Sequence, residues 1–409
     1  RDLHSFPTRR SSDLTKKQQA DFLQLLQKFR PVFAGLENRQ LGIFPTREYH
    51  IDLKPDAVPY HIKRPYSIPL NQRDALKKEL FRQLALGLIE RVYSTEWGMP
   101  IFIIPKSDGS CRLIADFREL NKQTRRVHYP LPKIQDIFHR RRGFLFLTLL
   151  DISMQFHTFK LDAYSAQLCV MVTPFGKFKY VRLPMGFLNS PLWAQAAMEE
   201  LFGDLPQVEV YIDDIGIFSN SYAEHLKIVE TVLDRLQSHN FTVKAAKCHW
   251  FQSQAPWLGH IITRDGILPA TSKIEPILQL EFPKTITELR SLIGMVNFYR
   301  SFWKKRAHIM APLTALSGRS RGKLKPTPEL LEAFRQLKVM ISEKVLLAFP
   351  NPNIPFDIYT DASELQLGAV IMQAGNTIAF FSRKLSSAQV KYPTVDKEML
   401  CIVEVFKEY

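Results

Sequence analysis

The stretch Val208-Glu209-Val210-Tyr211-Ile212-Asp213-Asp214-Ile215-Gly216-Ile217-Phe218 decides the fold. Two short apolar runs, Val208 to Tyr211 and Ile215 to Phe218, flank a pair of adjacent acids. Runs of this length and composition predict two β-strands joined by a tight turn. Such a turn presents Asp213 and Asp214 together at one rim. Adjacent carboxylates are costly to bury without a partner, and a hard divalent cation with oxygen ligands would neutralise them. A solvated Asp-Asp turn is the plainer alternative, and the tetrapeptide alone does not decide between the two.

Upstream, the apolar run Phe144 to Leu150 ends at Asp151. Two short strands around a break at Asp151 are expected over 144–161. Taken alone, Asp151 reads equally well as an N-cap for the next segment of chain. Laid beside the 208–218 strands it becomes a third acid, and three acids can hold two Mg²⁺ about 4 Å apart. Around this centre the patterning predicts helices over 15–29, 72–91, 190–202, 222–239, 285–302 and 327–342. A hairpin is expected over 100–105 and 111–116. Residues 45–70 are Pro-rich and extended. A second β pattern begins at Phe356, continues at Ala369 to Met372 and Ile378 to Phe381, and leads into a helix near Thr394.

The chain has 409 residues, of which 45% are apolar, enough for two or three domains. Lys and Arg number 55 against 40 Asp and Glu, a net charge of +15. That surplus favours a polyanionic partner, most simply nucleic acid. The apolar runs are far shorter than the roughly 20 residues a membrane helix needs, so no membrane partner is expected. Four cysteines without CxxC spacing argue against a disulfide frame or a zinc site and suit an intracellular, reducing setting. There is no P-loop and no Asp-Thr/Ser-Gly triplet of an aspartic protease. Residues 1–14 lack periodicity, look like a translated adapter, and are set aside from fold reasoning. The helical pattern running into Tyr409 suggests a piece of a longer polyprotein.

Strings along the chain then fall into a recognisable order. They are RLIADFRELNK (112–122), LDISMQFHTFKLD (150–162), RLPMGFLNSP (182–191), YIDDI (211–215), WLGHIIT (257–263) and ELRSLIGMVNFYRSFWKKRAHIMAPLTAL (288–316). Together they resemble the reverse transcriptase of gypsy-like LTR retrotransposons, over roughly residues 45–316. The resemblance implies an α+β, right-hand polymerase with fingers, an antiparallel palm sheet and a thumb. The expected division is an N-terminal extension over 15–70, fingers and palm over 71–270, thumb-like helices over 271–320, and a connection with an incomplete ribonuclease H-like α/β domain over 321–409.

The resemblance also implies roles. Asp151 and Asp213 match the principal metal ligands and Asp214 the third acid, with Mg²⁺ as the pair of ions, or Mn²⁺ in its place. Phe156 matches an aromatic gate under the incoming sugar. Gln155 departs from the Gly common before that gate. Arg112 matches a triphosphate-contacting arginine. Lys106 stands beside it, with Ser107 where many relatives have a second lysine. Met185 and Gly186 match the lining of the nucleotide pocket, and Asn189-Ser190-Pro191 should start a helix with a polar cap. Lys247 matches a lysine proposed to protonate pyrophosphate, with a solvated surface lysine as the bland alternative. Trp257, Leu258, Gly259 and His260 match the primer grip. Arg290, Arg300, Lys304, Lys305 and Arg306, interleaved with Phe298, Tyr299, Phe302 and Trp303, would grip a duplex through its phosphates.

Residues 356–409 resemble the start of a retroviral-type ribonuclease H, through FDIYTDAS (356–363), LGAVI (367–371), AFFSRKL (379–385) and YPTVDKEMLCIVEVFK (392–407). Asp361 and Glu398 match its first two acids. The remaining acids are absent, so nuclease activity is expected to be lost. The implied function is RNA-directed DNA polymerisation in a cytoplasmic, virus-like particle. Its partners would be an RNA template, a DNA primer or hybrid duplex, deoxynucleoside triphosphates, and flanking protease and integrase parts of the polyprotein. The rival reading is a non-catalytic nucleic-acid-binding remnant of a decayed element.

Overall fold

The structure is a computed structural model that describes residues 9–10, 14–33, 41–45, 47–106, 109–318, 320 and 322–409. It separates into two compact units. One comprises Arg1–Lys133 with Leu145–Gln252, the other Ile134–Phe144 with Ser253–Tyr409.

The first unit is built on a largely antiparallel sheet. Its strands run in the order His249–Gln252, Phe146–Ser153, Asp214–Ser219, Val208–Tyr211. Arg9–Arg10 adds a parallel edge, and Thr242–Val243 pairs with the far end of Phe146–Ser153. Val208, Val210, Ile215 and Ile217 are buried. Helix Tyr222–Ser238 packs on this sheet through Ile228, Val229, Val232, Leu233 and Leu236, the spacing of one helical face. Ser221 caps it by accepting from the Glu224 N–H. Helix Lys16–Lys28 starts with a reciprocal capping box between Thr15 and Gln18, and its Phe22 ring lies 5.3 Å from Trp250. Leu14, just ahead of it, is buried in the same core.

The expected break at Asp151 is not there: Phe146–Ser153 is one continuous strand. Its partners explain why. Asp214–Ser219 pairs with it from Phe146 to Asp151, and Thr242–Val243 takes over at Ile152 and Ser153. With the ladder continued on both sides, the backbone at Asp151 has no helix end to cap.

A second sheet of the same unit runs Ile89–Val92, Gly176–Tyr180, Val170–Thr173, Met99–Pro105, Cys111–Ala115. The last two strands form the expected antiparallel hairpin. The middle of its turn, Ser107 and Asp108, lies outside the described residues, so the departure at Ser107 is not placed. Helix Ser190–Phe202 forms as expected, but Asn189 does not cap it through its side chain. That amide instead accepts from Val127 N–H at 3.1 Å and donates to the Arg125 carbonyl at 3.0 Å.

The second unit carries a four-stranded sheet in the order Ala255–Trp257, His260–Ile262, Gly266–Pro269, Leu347–Ala348. Helices Ile286–Phe298, Arg306–Ser317 and Pro328–Ser342 belong to it. The helix expected over 285–302 ends at Phe298 and passes into the 3₁₀ turn Arg300–Phe302. Three antiparallel strands, Asp357–Ala362, Gln366–Gln373 and Asn376–Lys384, then pack with helix Thr394–Glu408 around Leu367, Ile371, Ala379, Cys401 and Val405. All four cysteines are buried and free.

Candidate active site

The register of the first sheet brings the acids together. Asp214 pairs directly with Asp151 across neighbouring strands, and Tyr211 pairs with Asp214. Ile212 and Asp213 therefore form a two-residue hairpin loop. The Asp213 carbonyl accepts from Ile152 N–H at 3.0 Å, which fastens the turn to the residue after Asp151. Ile212 has φ +55°, a left-handed position where two-residue hairpins favour glycine. A β-branched residue held there costs about 1–3 kcal/mol and persists only where its surroundings over-determine it.

Two glutamines do so. Gln195, buried in helix Ser190–Phe202, accepts from Ile212 N–H at 2.7 Å and donates to the Val210 carbonyl at 3.1 Å. Gln155 donates to the Ile212 carbonyl at 2.8 Å. No sequence signal singled out Gln195, and Gln155 stood out only as a departure from a family pattern.

The three carboxylates differ electrostatically. Asp214 is half-buried, and its pKa is pushed up to about 7, first by burial and then by the charges of Asp213 and Asp151. Asp213, at the exposed tip, is raised in the same direction by partial desolvation and by the Asp151 charge. Lys247 opposes both shifts. Its ammonium lies 2.8 Å from Asp151 Oδ2, and the Lys244 N–H donates to the Asp151 carbonyl at 3.0 Å. Lys247 thus stands beside Asp151, with its side chain 55% exposed.

Burial first, and neighbouring acids second, raise Asp213 and Asp214, and a divalent cation would favour their charged forms. Three aspartates are hard oxygen donors of the type Mg²⁺ and Mn²⁺ take. The donor chemistry fits. Among the described residues, however, no group of three acid, His or Cys side chains is closed tightly enough to hold an ion as it stands.

Other expected residues lie on separate elements. Phe156 follows Gln155 in the short helix Gln155–Thr158 and is half-buried against the core. Arg112 is exposed on Cys111–Ala115, opposite Ile104. Lys106 follows the partner strand, its N–H donating to the Ser110 carbonyl at 2.9 Å. Met185 is exposed, and Gly186, at φ +85°, accepts from Asn121 Nδ2 at 3.0 Å.

Trp257, Leu258, Gly259 and His260 form a tight hairpin in the second unit. Both central residues, Leu258 and Gly259, have positive φ, +46° and +81°. A side chain at Gly259 would meet the Phe298 ring at 3.0 Å, and the Gly259 carbonyl accepts from the Tyr299 hydroxyl. His260 is buried beside Phe138, Phe298, Tyr299 and Phe302, and its pKa is lowered to about 4 by that burial. Tyr299, Phe302 and Trp303, expected to face a duplex, are at most 2% exposed and are core residues. Arg300 pairs with Glu408, and Arg306 donates to Asn297 and to the Ser382 carbonyl, while Lys304 and Lys305 are exposed. Asp361 lies on Asp357–Ala362, and Glu398 accepts from the adjacent Ala362 N–H at 3.2 Å.

With this geometry in place, comparison with known proteins is decisive. Residues 104–262 match the family of reverse transcriptases (RNA-dependent DNA polymerases), and residues 327–409 match the RNase H-like domain found in reverse transcriptase. The chain carries a reverse transcriptase domain. It is 30% identical over 393 residues to the retrovirus-related Pol polyprotein from transposon 297 of Drosophila melanogaster, which covers 94% of this chain and 37% of that protein. The transposon Tf2-3 polyprotein of Schizosaccharomyces pombe is 30% identical over 369 residues, 88% of this chain and 28% of that protein. The chain thus spans about a third of the length of these polyproteins of gypsy-like LTR retrotransposons. The mixed α+β reverse transcriptase fold matches that of a foamy viral protease-reverse transcriptase in complex with RNA/DNA hybrid. There the TM-score is 0.87 and the identity 21%, over 99% of this chain and 55% of that one. A version of that enzyme in complex with double-stranded DNA gives a TM-score of 0.89 at 22% identity, over 99% of this chain and 71% of that one. No described helix is long and apolar enough to cross a membrane.

Proposed function

We propose that the chain is an RNA-directed DNA polymerase that extends a primer 3′-hydroxyl with deoxynucleotides. One observation carries the reading: the register that sets Asp214 opposite Asp151, with Asp213 on the two-residue turn between. It supports a carboxylate centre in a domain whose family performs this reaction.

Asp151, Asp213 and Asp214 would hold two divalent ions. Bound there, such ions would supply Lewis acidity toward the attacking hydroxyl and charge neutralisation for the leaving pyrophosphate. The remaining roles belong to the chain. Lys247 places its ammonium at the edge of the acids, as a donor from which a proton would pass to pyrophosphate. The Arg112 guanidinium fork and the Lys106 ammonium suit triphosphate oxygens. Phe156 lies beneath the sugar, where a ribose 2′-hydroxyl would clash with its ring. Met185 and Gly186 border the base and sugar. The hairpin Trp257 to His260 guides the primer end. Fingers and palm fall within 71–270 and the thumb within 271–320. Asp361 and Glu398 are the acids of the RNase H-like domain. The net charge of +15 suits an RNA template and a primer duplex held through phosphates, in work done inside the cell.

Primer extension on an RNA template with Mg²⁺ or Mn²⁺ tests the reading. The parent should extend and Asp213→Asn should not. Equal silence from both would leave a nucleic-acid-binding remnant.

A further inference from the structure

We propose that Gln155 is a positioning residue for the carboxylate turn: its amide N–H, by holding the Ile212 carbonyl, fixes Asp213 and Asp214 relative to the strand that bears Asp151. The proposal rests on the polymerase reading above and adds to it a device for aligning the acids.

Gln155 is 2% exposed and lies four residues after Asp151, in the short helix entered through Met154 at φ +54°. Its Nε2 donates to the Ile212 carbonyl at 2.8 Å. Gln195 takes the other backbone group of the same residue, accepting from Ile212 N–H at 2.7 Å. Gln195 is braced in turn by Glu199, whose Oε1 accepts from it at 2.8 Å. Both polar groups of one left-handed peptide position are therefore held by side chains from two different elements. The Gln195 bond ties the turn to helix Ser190–Phe202. The Gln155 bond ties it to the segment that carries the opposing acid.

The other half of the Gln155 amide sharpens the inference. Its Oε1 is buried and has no hydrogen-bond partner among the described residues. Burying an amide with an acceptor unmet is unfavourable, and an apolar side chain of similar length would fill the space without that cost. Among the described residues, the Gln155 amide makes its hydrogen bond through its donor.

Catalytic groups need placement to within about 0.5 Å. Loss of the Gln155 donor should therefore lower turnover more than substrate binding. The test compares the parent with Gln155→Leu and Gln155→Met, which keep length and remove the donor. Steady-state incorporation of one deoxynucleotide on an RNA template gives kcat and KM. Hydrogen exchange read by mass spectrometry follows residues 208–218. We expect kcat to fall about tenfold with KM changed less than twofold, and exchange to quicken at the turn while strand Phe146–Ser153 keeps its protection. Unchanged kcat and unchanged exchange in the variants, with an active parent, would overturn the proposal and leave the polymerase reading standing. Protection lost throughout the sheet would make Gln155 an ordinary core residue and would also overturn it. If the parent itself does not extend primers, the polymerase reading fails. The exchange data then decide alone whether Gln155 fixes the turn, quickened exchange there supporting it and unchanged exchange refuting it.

Discussion

Lys247 Nζ lies 2.8 Å from Asp151 Oδ2, so the acid paired across the sheet with Asp214 already has a cation at its side. That ammonium lowers the pKa of Asp214, yet burial and the neighbouring acids still raise it to about 7.

The raised Asp214 value sets a pH dependence. An unfolded Asp titrates near 3.9, so between about pH 4 and pH 7 the folded chain keeps a proton that the unfolded chain has lost. Stability is therefore highest below about pH 4 as far as this group is concerned, and it falls as pH rises to about 7. Asp214→Asn should flatten that slope and raise Tm at pH 8. Mg²⁺ should raise the parent's Tm more at pH 8 than at pH 5. Lys247→Met should lower Tm at pH 8, by under about 1 kcal/mol of stability, because the lysine side chain is 55% exposed. Calorimetric scans across this pH range would check all three, and a parent Tm indifferent to Mg²⁺ would count against the metal assignment.

Gly259→Ala should destabilise the second unit by about 1–3 kcal/mol. The added methyl meets the Phe298 ring at 3.0 Å, and φ +81° disfavours any side chain. Adding Phe298→Ala should recover the steric part and leave the conformational part. Urea unfolding of the single and double variants separates the two.

Phe156→Ala should relax sugar discrimination. If the ring excludes a 2′-hydroxyl, the ratio of ribonucleotide to deoxynucleotide incorporation should rise at least tenfold, about 1.4 kcal/mol of lost discrimination. A ratio unchanged in single-nucleotide extension would return Phe156 to the core, where it is half-buried.

His260 makes the second unit acid-sensitive. Its folded value near 4 lies below the about 6.5 of a free histidine. Its contribution is present above about pH 6.5 and is lost as pH falls toward 4, since the unfolded chain then binds the proton first. His260→Phe should reduce acid unfolding in that window, as followed by tryptophan fluorescence.

Much of this was legible in the chain. Two short apolar runs, Val208 to Tyr211 and Ile215 to Phe218, flanking an acidic pair predicted the hairpin, and the apolar spacing of 222–239 predicted its covering helix. The β pattern from Phe356, through Ala369 to Met372 and Ile378 to Phe381, matches three strands over 357–384. What was hidden is tertiary. Gln155 and Ile212 are 57 positions apart, and nothing local in either marks their bond. Asp151 looked like a strand end because an acid usually interrupts an apolar run; pairing on both sides carries the strand through. Tyr299, Phe302 and Trp303 drew attention as aromatics among basic residues. Their spacing from Leu292 and Val296 was the core signal that outweighed it.

The face-to-face placement of Asp151 and Asp214 is a property of counting. Side chains alternate along a strand, so one extra or missing residue within Phe146–Ser153 or Asp214–Ser219 would turn one acid to the opposite face of the sheet. A single in-frame codon gained or lost there would leave every acid encoded and still part the two acids, along with the apolar side chains beyond the lesion, between opposite faces of the sheet.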